Sequence, residues 1–309
     1  MKKKIAVVGA GLMGCGIAQV FSLAGHPVGL RDSLPEALAA APGRIRADLD
    51  LAVGAGLLTE VEAAAALGLI SFHEDLAGAV ADAVLVVECV PEKMELKQAL
   101  FRELDQICPP PVVLASNTSV MSITQIASAS TRRERVLGTH FFNPPFLLPL
   151  VEVVQTQETS PEAISLTMEL MAGAGKKPIH IKKDVPGFVA NRMQHALWRE
   201  AFHILDEGIA DAATIDEAVR SSFGLRLPVL GPMGNCDLIG LDLVLDIHQY
   251  IYPHLASEVE PSRVLRETIG EGKLGFKTGG RGLQNFTPEG MTRTREKLAK
   301  YLLAVAKKK

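Results

Sequence analysis

The segment RVLGTHFFNPPFLLPLVEVV sets His140 at the end of one apolar, β-branched run and Glu152 inside another, twelve positions further on. Histidine is the side chain whose ordinary pKa lies nearest neutrality. A carboxylate that accepts its second N–H fixes the tautomer and stabilises the imidazolium formed when the ring takes a proton. Such a pair is the base an alcohol needs when its carbon gives up hydride, because the hydroxyl proton has to leave as well. The second chemical signal is GAGLMG, which places Gly9, Gly11 and Gly14 as GxGxxG between KIAVVG and GIAQVFSLAG. Gly9 permits a tight turn, Gly11 lets the backbone approach a pyrophosphate and Gly14 allows close helix-to-sheet packing, while the helix N-terminus supplies amides and dipole for the anion. Asp32 ends the second strand-like run, roughly twenty residues past the turn, where a carboxylate accepts both ribose hydroxyls and repels a 2′-phosphate. The expected cofactor is therefore NAD, with NADP open only if the neighbouring Arg31 turns inward.

Positioning these groups requires a sheet. Short runs IAVVG, VGLRD, AVLVVEC, VVLAS, RVLGTHF, VEVVQ and PIHIK alternate with longer helical patterns, which reads as an α/β, parallel, doubly wound Rossmann-type domain. Residues 35–67 read as an inserted helical hairpin, with Thr59 and Glu62 as a TxxE capping box. Ser160-Pro161-Glu162 opens another helix, and the last strand is expected at Pro178–Ile181. After KKDVPG the pattern turns helical: residues 187–207, a second capping box at Thr214 and Glu217, and LIGLDLVLDIHQYIYPHL as one continuing helix. The expected organisation is 1–184 as the NAD-binding domain and 185–309 as an all-α substrate and dimerisation domain, with the reactive cleft between them. The AKKK end reads as a frayed tail.

The composition narrows the class. A chain of 309 residues, 48% apolar, exceeds what one core ordinarily holds. A formal net charge of −3 offers no basic stripe for nucleic acid. Cys15, Cys89, Cys108 and Cys236 stand far apart without metal-ligand spacing, and the eight histidines are scattered, so neither a disulfide framework nor a metal site is expected. The MKKK start mimics a signal peptide, but spaced glycines and Gln19 interrupt its apolar run, and no stretch reaches membrane-spanning length. A cytoplasmic protein with small-molecule partners is the reading.

The motifs GAGLMG, VVECVPE, LASNTS, GTHFFNPP, LVEVV, DVPGFVANR and GPMGNCDLIGLD, in this order over most of the chain, resemble the 3-hydroxyacyl-CoA dehydrogenase family. The resemblance implies the family's two-domain fold, a homodimer and a place in fatty acid metabolism. It makes His140 the general base, Glu152 its orienting carboxylate, and Ser119 and Asn191 hydrogen-bond donors to the substrate oxygen. It also brings Leu12, Met13, Glu92, Lys97 and Asn117 to the cofactor and gives Asn143 a supporting role near the substrate. From residue type alone, Ser119 also fits a helix N-cap, Asn191 a polar first turn, Asn143 a turn before Pro144-Pro145, and Glu92 with Lys97 an exposed helical charge pair. A catalytically idle NAD-binding protein is a further alternative, against which the intact His140, Glu152, Ser119 and Asn191 argue.

Three departures bear on the substrate. Acyl-CoA members carry lysine-rich faces on the hairpin, suited to coenzyme A phosphates, whereas this hairpin offers Arg44 and Arg46 against several acids. Pro149 stands where fatty-acid members carry lysine. FGLRLPVLGP resembles the GLR stretch of gulonate and carnitine dehydrogenases and, more loosely, of pyridine-carboxylate dehydrogenases. Its Arg226 can clamp a carboxylate with two parallel hydrogen bonds, or serve a surface or dimer-interface ion pair. The first expected substrate is thus a 3-hydroxybutyryl-like acyl-CoA, the second a free polar hydroxycarboxylic acid held by Arg226.

Overall fold

The computed structural model describes residues 2–307, so Lys308 and Lys309 of the AKKK end lie outside the described residues. The chain forms two compact units: one runs to Arg192 and takes in the chain from Ala299 onward, the other spans Met193–Leu298. The sequence pattern places the boundary at 184/185, where strand-like runs end; the first unit continues through the first residues of the next helix.

The first unit is built on one eight-stranded sheet. Its strands are β1 (Lys4–Val8), β2 (Val28–Arg31), β3 (Ile70–His73), β4 (Ala83–Glu88), β5 (Val113–Ser116), β6 (Val136–Phe141), β7 (Leu150–Gln155) and β8 (Lys177–Ile181), in the order β3-β2-β1-β4-β5-β6-β7-β8. Helices α1 (Leu12–Leu23), α2 (Pro35–Gly54), α3 (Glu60–Gly68), α4 (Leu76–Val80), α5 (Met94–Ile107), α6 (Ile123–Ala127) and α7 (Pro161–Gly173) connect them. Alternate residues of β1 feed two cores: Ile5 and Val7 pack in one with Ile17, Phe21 and Leu30, Ala6 and Val8 in the other with Phe101, Leu104 and Leu114. A strand covered on both faces reads as an unbroken apolar run, which is why IAVVG lacks polar alternation. The first six strands have the doubly wound order, and its switch point lies between β1 and β4.

Two expectations about the sheet need correction. ISFH forms β3, a strand the sequence pattern missed because only Ile70 is buried there. The sheet is also not wholly parallel: β6 and β7 pair antiparallel, while β7 and β8 pair parallel. The connection of residues 142–149 is too short for the crossover of a dozen or more residues that parallel neighbours need.

The hairpin of α2 and α3 is present, with the Thr59 hydroxyl and Glu62 carboxylate capping each other's backbone N–H. Ser160 caps α7 as expected. Helix α8 (Ala190–Asp206) leads into the second unit, which holds α9 (Ala212–Arg220), α10 (Pro232–Ile239), α11 (Leu241–Ile251) and α12 (Arg263–Gly270) before α13 (Pro288–Lys307). The second capping box does not form. Asp211 takes the N-cap and accepts from the Thr214 N–H, which leaves Glu217 to bond Ser221 and Arg220. The run LIGLDLVLDIHQYIYPHL breaks at Gly240, whose φ of +103° no helix admits, and ends in a 3₁₀ turn at Tyr252–His254. Among the described residues, only Ala256 and Gly280 of the second unit are buried. No helix is long and apolar enough to cross a membrane, among the described residues.

Candidate active site

The antiparallel register sets His140 directly opposite Glu152. Cross-strand partners share a face of the sheet, so the two side chains meet: His140 Nδ1 lies 2.7 Å from Glu152 Oε2. Glu152 Oε1 accepts the backbone N–H groups of Val189 and Ala190, at 3.0 and 2.9 Å, at the start of α8. Burial pushes the Glu152 carboxyl up, but the bonds from His140, Ala190 and Val189 outweigh it and hold the group below its ordinary 4.5. The carboxylate is therefore ionised near neutrality and sets a proton on Nδ1, leaving Nε2 as the basic nitrogen with no protein partner among the described residues. Phe142 and Phe188 flank the imidazole, with ring centroids 4.4 and 5.7 Å away.

His140 opens on a cavity of about 340 Å³ lined by residues of the first unit, among them Met13, Glu92, Asn117, Ser119, Asn143 and Asn191. Ser119 is exposed there and caps no helix; Ser122 caps α6. Asn191, on the first turn of α8, donates Nδ2 to the Ser119 carbonyl at 3.0 Å and keeps a second N–H to offer. Asn117 Oδ1 accepts the Phe141 N–H at 2.9 Å, tying the SNTS loop to the strand end that carries His140. Cys89 also lines the wall, but burial holds its thiol well above its ordinary value, so it stays neutral and unreactive.

Of the pair Glu92 and Lys97, Glu92 is exposed but Lys97 is buried. Lys97 is 1% exposed and donates to Glu88 Oε1 at 2.6 Å and to the Val90 carbonyl, with Glu92 Oε2 3.3 Å away. Glu92 Oε1 accepts from the Thr118 hydroxyl and the Ser119 N–H. Lys97 thus anchors Glu92, and Glu92 anchors the Ser119 loop. Glu88, to which sequence reasoning gave no role, is fully buried and also accepts from Ser116 Oγ and the Val90 N–H. A carboxylate closing the apolar run AVLVVE was the available signal, since a buried charge requires partners.

The glycine loop fits a dinucleotide. Gly9 has φ +110°, and a Cβ there would lie 2.6 Å from the Cys89 carbonyl; a Cβ on Gly14 would lie 1.7 Å from the Gly9 carbonyl. A Cβ on Gly11 would meet nothing within 4 Å. That open space lies in front of the first amides of α1 and leaves room for a pyrophosphate to approach, with Leu12 62% exposed beside it. Asp32 Oδ2 accepts the Ala10 N–H at 2.6 Å and Oδ1 the Leu34 N–H, which leaves lone pairs for ribose hydroxyls. Arg31 is turned away, its Nε 3.3 Å from the Glu74 carbonyl. Gly11→Val should leave the melting temperature of the ligand-free protein nearly unchanged yet weaken NADH binding by about tenfold or more, because the new side chain fills only the approach to the loop. Differential scanning fluorimetry beside an NADH fluorescence titration reads both; unaltered NADH affinity would refute the placement. Arg226 lies in the second unit just after a 3₁₀ turn, exposed and without a side-chain partner among the described residues.

Residues 4–185 match the 3-hydroxyacyl-CoA dehydrogenase NAD binding domain, and residues 187–285 match the C-terminal domain of the same enzymes. The chain is 39% identical over 285 residues to a probable 3-hydroxybutyryl-CoA dehydrogenase of Bacillus subtilis, covering 92% of this chain and 97% of that one. It is 32% identical over 308 residues to 5-formyl-3-hydroxy-2-methylpyridine 4-carboxylate 5-dehydrogenase of Mesorhizobium japonicum, covering 99% and 97%. A crystal structure of a dehydrogenase for that same pyridine carboxylate superposes with a TM-score of 0.90 at 31% identity over 99% of this chain and 97% of that one. For the (S)-3-hydroxybutyryl-CoA dehydrogenase of Ralstonia eutropha the TM-score is 0.78 at 34% identity, over 93% and 100%. The chain belongs to the 3-hydroxyacyl-CoA dehydrogenase family of NAD-dependent oxidoreductases acting on CH–OH groups.

Proposed function

We propose that the chain oxidises the hydroxyl-bearing carbon of a small, free carboxylic acid, with His140 as general base. The observation that carries this reading is the charge on the α2–α3 hairpin. Five carboxylates (Glu36, Asp48, Asp50, Glu60, Glu62) face two arginines there. Arg46 is neutralised by Asp50 at 2.7 Å and Glu60 at 2.9 Å, and Arg44 is directed at the glycine loop, where it donates to the Ala10 carbonyl. Such a surface repels the phosphates of coenzyme A. The higher TM-score to the pyridine-carboxylate dehydrogenase points the same way. A 3-hydroxyacyl-CoA substrate is the second reading, favoured by the higher identity to the Bacillus subtilis relative.

When bound, NAD supplies the hydride acceptor. His140 Nε2 takes the hydroxyl proton, and Glu152 holds Nδ1–H and steadies the imidazolium. The Ser119 hydroxyl and the free N–H of Asn191 donate to the substrate oxygen as charge develops on it. Arg226 binds the carboxylate; its exposed, unpaired guanidinium supports that role. Arg226→Ala should lower kcat/KM on a free hydroxy acid by tenfold or more without changing NADH affinity. The deciding assay sets NADH consumption with acetoacetyl-CoA beside NAD reduction with a panel of free hydroxy acids. Turnover confined to the free acids is expected, and faster acetoacetyl-CoA turnover would overturn the proposal. The second unit, in which few of the described residues are buried and Trp198, Leu241, Leu245 and Tyr250 are exposed, supports a homodimer formed through its helices. Light scattering should give twice 33.1 kDa.

A further inference from the structure

Arg44 occupies the middle of α2, the helix that follows β2 and Asp32. Its Nη1 donates to the Ala10 carbonyl at 3.0 Å, while the Ala10 N–H donates to Asp32 at 2.6 Å. One residue of the glycine loop is therefore gripped on its carbonyl by a cation and on its amide by an anion. The carbonyl bond uses one of the five guanidinium N–H groups. Arg44 is exposed, and no carboxylate lies within ion-pairing distance of it among the described residues. This sets it apart from Arg46, which two carboxylates neutralise. The guanidinium also faces Cys15 on the first turn of α1: burial pushes that thiol up to about 11, with Arg44 pulling against it. A positive charge without a counter-charge thus stands against the loop and first turn that receive a dinucleotide's diphosphate.

We propose that Arg44 is a cofactor-binding residue, its guanidinium donating to the diphosphate of NAD from the adenosine side of the glycine loop. Planar donors in a fixed fork match phosphate oxygens. Arg31, the other cation near Asp32, is tied to the Glu74 carbonyl and leaves this place to Arg44. The inference concerns the cofactor half of the site and holds whichever substrate is oxidised.

The test is binding without substrate. NADH affinity is read from fluorescence, and ADP-ribose and adenosine affinities by competition against NADH, for the wild type, Arg44→Met and Arg44→Lys. Arg44→Met should weaken NADH and ADP-ribose about tenfold or more, Arg44→Lys should fall between, and adenosine, which carries no phosphate, should bind all three proteins alike. Melting temperatures of the ligand-free proteins check that each variant is folded. Unchanged ADP-ribose affinity in Arg44→Met would overturn the proposal. So would an equal loss for adenosine, which would mean that Arg44 merely shapes the loop through Ala10.

Discussion

Glu152→Gln should cut kcat by roughly 10²–10⁴-fold while leaving NADH affinity within about twofold of wild type, and His140→Gln should do the same. The two fail for different reasons. His140→Gln removes the group that takes the substrate proton in the proposed mechanism. In Glu152→Gln, the side-chain oxygen can still accept the Val189 and Ala190 amides, which the carboxylate now receives on Oε1. The amide nitrogen then faces His140 Nδ1 as a donor, Nδ1 becomes the acceptor, and the ring proton moves to Nε2, the nitrogen that has to be empty. The fold is kept and the tautomer is inverted. A second readout follows from the lowered Glu152 carboxyl. A carboxyl whose folded pKa lies below its unfolded value contributes stability that is present above about pH 4.5 and lost as pH falls through the folded value. Acid unfolding of Glu152→Gln should lack that contribution. Retained turnover in both variants would refute the dyad.

Gly14→Ala should abolish the folded first unit or lower its melting temperature by roughly 10 °C. The added Cβ would sit 1.7 Å from the Gly9 carbonyl oxygen and 2.9 Å from its carbon, both backbone atoms. Overpacking a core commonly costs about 1–3 kcal/mol because side chains shift to make room. Here nothing shifts cheaply: Gly9 is fixed by its φ of +110° and by donating its N–H to the Arg31 carbonyl at 2.7 Å, so α1 must move off the sheet. Thermal unfolding of the purified variant decides it, and a wild-type melting curve would sink the claim. Gly14→Ala and Gly11→Val separate the two jobs that glycines do in one motif, since the first breaks packing and the second blocks a ligand.

Features with a local physical cause were legible from the sequence. The Thr59–Glu62 box, the Ser160 cap and the glycine turn followed by Asp32 all announce themselves within a few residues, and the structure has each of them. What was illegible depends on partners distant in sequence. The residue capping α9 is Asp211 rather than Thr214, and both candidates carry a side-chain oxygen; the choice follows from where the preceding chain turns. Lys97 looks like a surface lysine in VPEKMELKQ until Glu88 is found beneath it. Arg44 looks like half of a sparse basic pair on the hairpin until the loop carbonyl is found in front of it. The antiparallel turn between β6 and β7 was open to counting, because residues 142–149 leave no room for a crossover helix.

That pairing has a consequence for how the site can change over time. Because the β6–β7 ladder, not the intervening loop, holds His140 against Glu152, residues 142–149 can be lengthened, shortened or rewritten while the pair stays where it is. Phe142 and Asn143 of that loop line the cavity, so its wall can change while the pair does not. A single-residue insertion inside either strand is a different event: it turns Glu152 or His140 to the opposite face of the sheet and parts the two side chains in one step. The architecture thereby separates a segment free to diversify from two strands that are not.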